Sequence, residues 1–297
     1  MAAAGGELKS LGAAVVVGGK GMLGTDLVEA LRSDEAARRV EIADLPEVDV
    51  TQEEPLCVWL TERRPDIVFN CAAYTDVDGC ETEQDLAFAV NAEAAGRLAR
   101  LAASLNARFV HVSTDFVFDG SKSAPYEEDD APAPLSVYGR SKLEGERLVA
   151  QAGGHWLIAR TAWLYGRAGR NFVDTMLGLA KERSELSVVS DQVGSPTWSR
   201  DLAAALVALA KRGAGGVFHV VNSGACSRDE MVRWGLECAG LSTQVRSVTS
   251  DRFPLPARRP PYAPLSTAKF ARVVGRPMRP WRDALRQYVT TQSPKRG

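Results

Sequence analysis

Hydrophobic positions in the first 160 residues switch between two periods. Ala13-Ala14-Val15-Val16-Val17 is an unbroken apolar run, short and β-branched, which predicts a strand buried on both faces. From Met22 to Leu31 the apolar residues recur at helical spacing through Leu23, Leu27, Val28 and Leu31. The alternation continues with a strand over 40–43, a helix over 53–63 and a strand over 66–70. A long Ala-rich helix over 85–105 and a strand over 108–112 follow. Strands alternating with helices predict an α/β fold, a Rossmann-type doubly wound parallel sheet. After about Arg160 the rhythm loosens, and the Pro-rich stretch 253–264 excludes a helix or a central strand. This part of the chain reads as a smaller, irregular C-terminal lobe, with residues 290–297 as a frayed tail.

Composition narrows the classes. Among 297 residues, 36 basic side chains face 37 acidic ones, so no surplus of positive charge points to nucleic acid as a partner. No apolar run approaches the roughly 20 residues that span a bilayer, and the first ten residues lack a signal-peptide pattern. Cys57, Cys71, Cys80, Cys226 and Cys238 form no CxxC pair, and His111, His155 and His219 have no ligand at metal-site spacing. A reducing, cytoplasmic compartment and no metal are the expectation.

The first strand runs directly into Gly18-Gly19-Lys20-Gly21-Met22-Leu23-Gly24. Gly18, Gly21 and Gly24 have the spacing of a dinucleotide loop: a tight turn, a close approach to pyrophosphate, and close packing of helix on strand. The helix that follows presents unpaired N–H groups to an anion. Glycine-rich turns also serve as plain connections, but here a buried strand precedes the loop and Asp44 ends the next strand, twenty residues past Gly24. Asp44 suits a ribose 2′-OH and so NADH, whereas Lys20 suits a 2′-phosphate and so NADPH. The choice between the two stays open. Residues 1–162 with 192–221 are therefore the expected NAD(P)-binding domain, and 163–191 with 222–297 the substrate domain.

Tyr138-Gly-Arg-Ser-Lys142 places a phenol and an ammonium four residues apart on a predicted helix, hence on one face. A nearby cation stabilises a phenolate, so Lys142 is expected to lower the Tyr138 pKa towards the working range. Ser113-Thr114-Asp115 ends the strand over 108–112, where a hydroxyl is placed to polarise a carbonyl. Tyr-x-x-x-Lys alone usually decorates a solvated helix face; together with the glycine loop and the hydroxyls after the strand it points to catalysis.

At these residues the chain resembles the extended short-chain dehydrogenase/reductases, and within them the dTDP-4-dehydrorhamnose reductase family. The resemblance rests on Pro65-Asp-Ile-Val-Phe-Asn-Cys-Ala-Ala-Tyr-Thr-Asp-Val-Asp78, Val112-Ser-Thr-Asp-Phe-Val-Phe-Asp-Gly120 and Val137-Tyr-Gly-Arg-Ser-Lys-Leu-Glu-Gly-Glu146. It continues through Arg160-Thr-Ala-Trp-Leu-Tyr-Gly166, Asp191-Gln-Val-Gly-Ser-Pro-Thr197 and Pro256-Ala-Arg-Arg-Pro260. It implies NADPH- or NADH-dependent reduction of the C4 ketone of a dTDP-4-keto-6-deoxy sugar, with Tyr138 as acid, Lys142 as its helper and Thr114 on the carbonyl. Met22, Leu23, Asp49, Val50, Cys71, Ala72, Ala73, Tyr74, Asn91, Ser113 and Trp163 would join the glycine loop in holding the cofactor. Asn91 would fix Lys142 through a water. Thr75, Val77, Phe116, Trp163, Asn171 and Arg259 would border the sugar nucleotide. A dTDP-sugar is the expected partner, and a homodimer the assembly the family allows.

Bland readings stand beside these. Trp163 suits a core, Cys71 a small buried residue, His111 a strand interior, and Arg258 or Arg259 either a diphosphate clamp or a loop pin. Phe116 stands where the family usually has tyrosine, and Ser266 where it has aspartate. Asp26 occupies the first position of a metal site used by some members, but the last helix offers no glutamate. Phe116 also weighs against a sugar-nucleotide dehydratase, which needs a glutamate there. A non-catalytic NADP-binding regulatory subunit, resembling the methionine adenosyltransferase beta subunit, remains the alternative of another class.

Overall fold

The computed structural model describes residues 10–33 and 36–292. β1 (Ala13–Val17) is buried at every position and lies inside a six-stranded parallel sheet. It pairs with β2 (Arg39–Ala43) and β3 (Ile67–Asn70), and β4 (Arg108–Thr114) and β5 (Trp156–Thr161) extend the sheet beyond β3. A sixth strand, Gly216–His219, completes the order: this strand, then β5, β4, β3, β1, β2. Strand order reverses between β1 and β3, and in open α/β sheets that switch point is where ligands collect.

Alternate strand residues feed two layers. Val16, Phe69 and Val110 pack on α1 (Met22–Ser33), with Leu23, Leu27 and Leu31 inward. Val15, Val17, Val68 and Ile158 pack on α2 (Glu53–Arg63) through Leu56 and Leu60. The long helix forecast over 85–105 is α3 (Gln84–Phe88) and α4 (Ala94–Ser104), joined by a π-helical turn at Ala89–Glu93. α5 (Val137–Gln151) carries Tyr138 and Lys142; its N-cap Ser136 accepts the Gly139 amide at 3.1 Å.

Beyond Arg160 the looser sequence rhythm corresponds to helices on long Pro- and Gly-rich connections, more regular than the sequence suggests. α6 (Phe172–Glu182), α7 (Ser199–Lys211), α8 (Arg228–Ala239), α9 (Ala268–Val274) and α10 (Trp281–Gln292) follow in order. α7 packs against α1, and Phe270 and Val274 of α9 join the same layer. Tyr165, Trp198, Met231, Trp281, Leu285 and Tyr288 form a second core. Residues 253–264 are irregular, as their prolines require. α10 runs through Thr290 and Thr291, so the helix reaches further than the expected frayed tail allows, while 293–297 lie outside the described residues.

Candidate active site

The glycine loop leaves β1 at the switch point and opens on two adjoining cavities. A Cβ on Gly24 would sit 2.1 Å from the Gly18 carbonyl oxygen, so only glycine lets α1 start this close to the strand. Gly21, Cys71 and Ala73 line both cavities. The smaller, of about 270 Å³, is bordered by Gly18, Asp44, Leu45, Val48, Asp49, Val50, Ala72 and Val90. The larger, of about 530 Å³, holds Met22, Leu23, Ser113, Thr114, Phe116, Tyr138, Lys142 and Trp163, with Thr75, Val77 and Arg259. The expected cofactor and substrate residues thus converge on one cleft, with five exceptions besides the packing glycine Gly24.

Lys20 is the first. Its ammonium is held by the Leu45 carbonyl at 2.9 Å and by Glu47 at 2.7 Å, outside both cavities. The Asp44 carboxylate accepts the Lys20 and Leu45 amides at 2.7 and 2.8 Å, bracing the loop while facing the smaller cavity. Tyr74 and Asn91 also lie outside the lining. Asn91 is fully buried in the π turn, accepts the Tyr74 amide at 2.8 Å, and donates to the Tyr74 carbonyl and the Ser141 hydroxyl at 3.0 Å each. Its side chain is therefore committed to loop and helix rather than to Lys142. Asn171 is taken up as the N-cap of α6, accepting the Asp174 amide at 2.9 Å and donating to Gly166 and Tyr288. Its neighbours Arg170, Phe172 and Val173 line the cavity instead. Arg258 is absent from the lining as well. Arg259 does line it, but forks onto both oxygens of Asp78 at 2.7 and 3.1 Å, which makes it a pin between 74–82 and the Pro-rich stretch.

At the floor, the Tyr138 phenol and the Thr114 hydroxyl face each other closely enough to interact. Burial pushes the phenol pKa up and Asp115 adds to the rise. The expected lowering by Lys142 is not found, because the ammonium points to the Val112 carbonyl at 2.7 Å rather than to the phenol. Lys142 itself is pushed down to about 8 by burial, against the pull of Glu146. Phe116 meets the Tyr138 ring edge-on at 5.5 Å between centroids. Cys71 is held by burial at about 12, as an inert thiol. His111 is fully buried, with Nδ1 3.1 Å from Asn70, a strand-interior histidine.

Two lining residues were given no role by sequence reasoning: Asp115, although it ends the Ser113-Thr114-Asp115 segment, and Arg228, which lies in no motif. Asp115 is buried, and desolvation raises its pKa to about 7. Arg228 opens α8, with its guanidinium carbon 3.5 Å from the Trp163 ring centroid. A signal for the latter was available: Ser227-x-x-Glu230 is a capping box, and a cation at the first helical position faces the wrong end of the dipole. Trp163 has φ 43°, a left-handed conformation uncommon for a bulky residue. It rests against Gly194, where a Cβ would come within 2.4 Å of the indole.

The cleft has the form a dinucleotide needs. Backbone amides at a helix start face it, and Ser113 Oγ, Asp115 Oδ2 and Thr161 Oγ1 are buried on the larger cavity without a hydrogen-bond partner among the described residues. Asp26 is different: its carboxylate is buried between α1 and α7 and bonded to the Ser199 hydroxyl, and desolvation raises its pKa. Among the described residues no group of three His, Cys, Asp or Glu side chains is placed to hold a metal, and no helix is long and apolar enough to cross a membrane.

Known proteins agree with this arrangement. Residues 13–293 match the RmlD substrate binding domain family. A dTDP-4-dehydrorhamnose reductase of Mycobacterium tuberculosis is 43% identical over 278 residues, covering 91% of this chain and 90% of its own. The spore coat polysaccharide biosynthesis protein SpsK of Bacillus subtilis is 40% identical over 94% of this chain and 97% of its own. The dTDP-4-dehydrorhamnose reductase of Bacillus anthracis, solved in complex with NADP, superposes with TM-score 0.90 at 36% identity, over 94% of this chain and 99% of that one. The glycine loop, the Tyr138–Lys142 face and these similarities agree, and the chain belongs to the dTDP-4-dehydrorhamnose reductase family.

Proposed function

We propose that this chain reduces the C4 ketone of a dTDP-4-keto-6-deoxy sugar with NADPH or NADH, and that dTDP-4-dehydrorhamnose, giving dTDP-rhamnose, is its substrate. The observation that carries the reading is Tyr138 facing Thr114 in the larger cavity, with the Lys142 ammonium on the same helix face. When bound, the nicotinamide supplies hydride to the carbonyl carbon. Tyr138 supplies the proton: a phenol whose pKa is raised keeps it at neutral pH and gives it to the oxyanion as charge develops there. Thr114, whose hydroxyl donates to Asp115 before substrate binds, turns that single donor to the same oxygen, and Lys142 holds the cofactor ribose and a positive charge beside the cleft.

In this reading Gly18, Gly21, Met22 and Leu23 hold the pyrophosphate side. Asp44, Asp49, Val50, Ala72 and Ala73 surround the adenosine, and Thr75, Val77, Phe116 and Trp163 border the sugar nucleotide. Residues 1–162 with 192–221 serve the cofactor, and 163–191 with 222–297 the sugar. Cytoplasmic location and a homodimer belong to the same reading, the latter checked by light scattering.

The test is a coupled assay with the keto-sugar nucleotide, both cofactors and identification of the product sugar. Oxidation of NADPH or NADH with formation of a 4-hydroxy sugar is expected. No turnover with either cofactor, together with stoichiometric co-purification of another enzyme, would replace this reading with the regulatory one.

A further inference from the structure

Four cationic side chains, Lys142, Arg170, Arg228 and Arg259, line the larger cavity against a single carboxylate, Asp115. Three of them have an occupation or lie at the rim. Lys142 donates to Val112, Arg259 is tied to Asp78, and Arg170 is exposed. Arg228 differs. Its guanidinium is stacked on Trp163 at 3.5 Å and lies 5.0 Å from the Phe172 ring, and no hydrogen bond or ion pair joins it to another described residue. Desolvation brings its pKa down to about 10, and Asp115 is the carboxylate that opposes the shift. Nothing in the helix calls for a cation here, since the first turn of α8 is the positive end of its dipole.

Asp115 is the complement. It follows Thr114, accepts that hydroxyl on Oδ1 at 3.0 Å, and leaves Oδ2 buried without a partner among the described residues. One side chain thus offers only donors and the other, when ionised, only acceptors, and both flank the site where Thr114 and Tyr138 meet the carbonyl. A phosphate would satisfy Arg228 but be repelled by Asp115. A hydroxyl satisfies both, because it accepts from the guanidinium and donates to the carboxylate.

We infer that Arg228 is a specificity-determining residue that reads, together with Asp115, a sugar hydroxyl on the ring carbon beside the ketone. The inference rests on the keto-sugar reading above and assigns to Arg228 the discrimination of a sugar hydroxylated next to the carbonyl from its 3-deoxy counterpart.

The experiment compares the wild type with Arg228→Met and Arg228→Lys on a dTDP-4-keto-6-deoxyhexose and on its 3-deoxy counterpart, with calorimetric binding of dTDP alone. The wild type is expected to favour the hydroxylated sugar by about 10–100-fold in kcat/KM, the scale of one charge-assisted hydrogen bond. Arg228→Met is expected to bring that preference to within about threefold, to leave dTDP affinity unchanged and to keep Tm within about 4 °C. Arg228→Lys keeps part of the preference. A preference that persists in Arg228→Met overturns the inference, and so does an equal loss of dTDP affinity, which would assign Arg228 to the diphosphate. If the wild type reduces neither sugar, the keto-sugar reading fails. Relative affinity for the two corresponding 4-hydroxy sugar nucleotides, measured on the same variants, then decides the role of Arg228 by the same criteria.

Discussion

Tyr138 is partly buried, and the rise in its pKa that desolvation causes suits a residue that must give a proton rather than take one. Tyr138→Phe is expected to lose about 10²–10⁴-fold in reduction rate while cofactor binding, followed by nicotinamide fluorescence, is retained. Lys142 sets the pH range. Its pKa of about 8 lies below the usual lysine value, so the ammonium is present below pH 8 and disappears above it. kcat/KM for reduction should therefore fall along a basic limb centred near pH 8, and Lys142→Arg should remove the limb because arginine keeps its charge. A limb that stays near 8 in that variant would mean another group is titrating. Tyr138 and Lys142 were legible because helical spacing four apart defines a face without any tertiary knowledge. Asp115 and Arg228 were not, since they meet only when the end of β4 and the start of α8, more than a hundred residues apart, close around one cavity.

The π turn at Ala89–Glu93 shows how an element supports the site without lining it. Apolar periodicity over 85–105 forecasts one continuous helix, and the backbone nearly obeys. The departure is invisible to periodicity because it adds a single residue's worth of winding. At that turn Asn91 spans the Tyr74 backbone and Ser141, coupling the loop after β3 to the helix that bears Tyr138 and Lys142. Asn91→Ala strands the Tyr74 amide and carbonyl and is expected to cost about 1–3 kcal/mol in urea unfolding. Asn91→Asp, which sets a buried carboxylate oxygen against the Tyr74 carbonyl, should cost at least as much. A cost near zero for Asn91→Ala would show that the loop finds other partners. Lys20 makes the opposite point: its place in the glycine loop was readable, but its engagement by Glu47 and Leu45 required the fold of 44–47.

Across the whole molecule, the balanced net charge hides a cavity with four cations against one carboxylate. The βαβ half was readable because each strand–helix unit is local, and β1 and β3 are buried at every position. The second half was readable only in part, because its elements are separated by long connections whose prolines report where regular structure stops and not where the chain goes next. The Asp78–Arg259 tie is the clearest example, joining residues 181 apart. That separation has a consequence for the order of folding. Closing so long a loop precedes any reward from the contact, so the tie belongs to the late side of the folding barrier. Asp78→Asn should then leave the refolding rate near the wild-type value and speed unfolding, measured by stopped-flow denaturant jumps, whereas a slowed refolding limb would place the tie in the nucleus. The Pro-rich stretch that Arg259 pins to Asp78 would accordingly be the last part of the molecule to close and the first to let go.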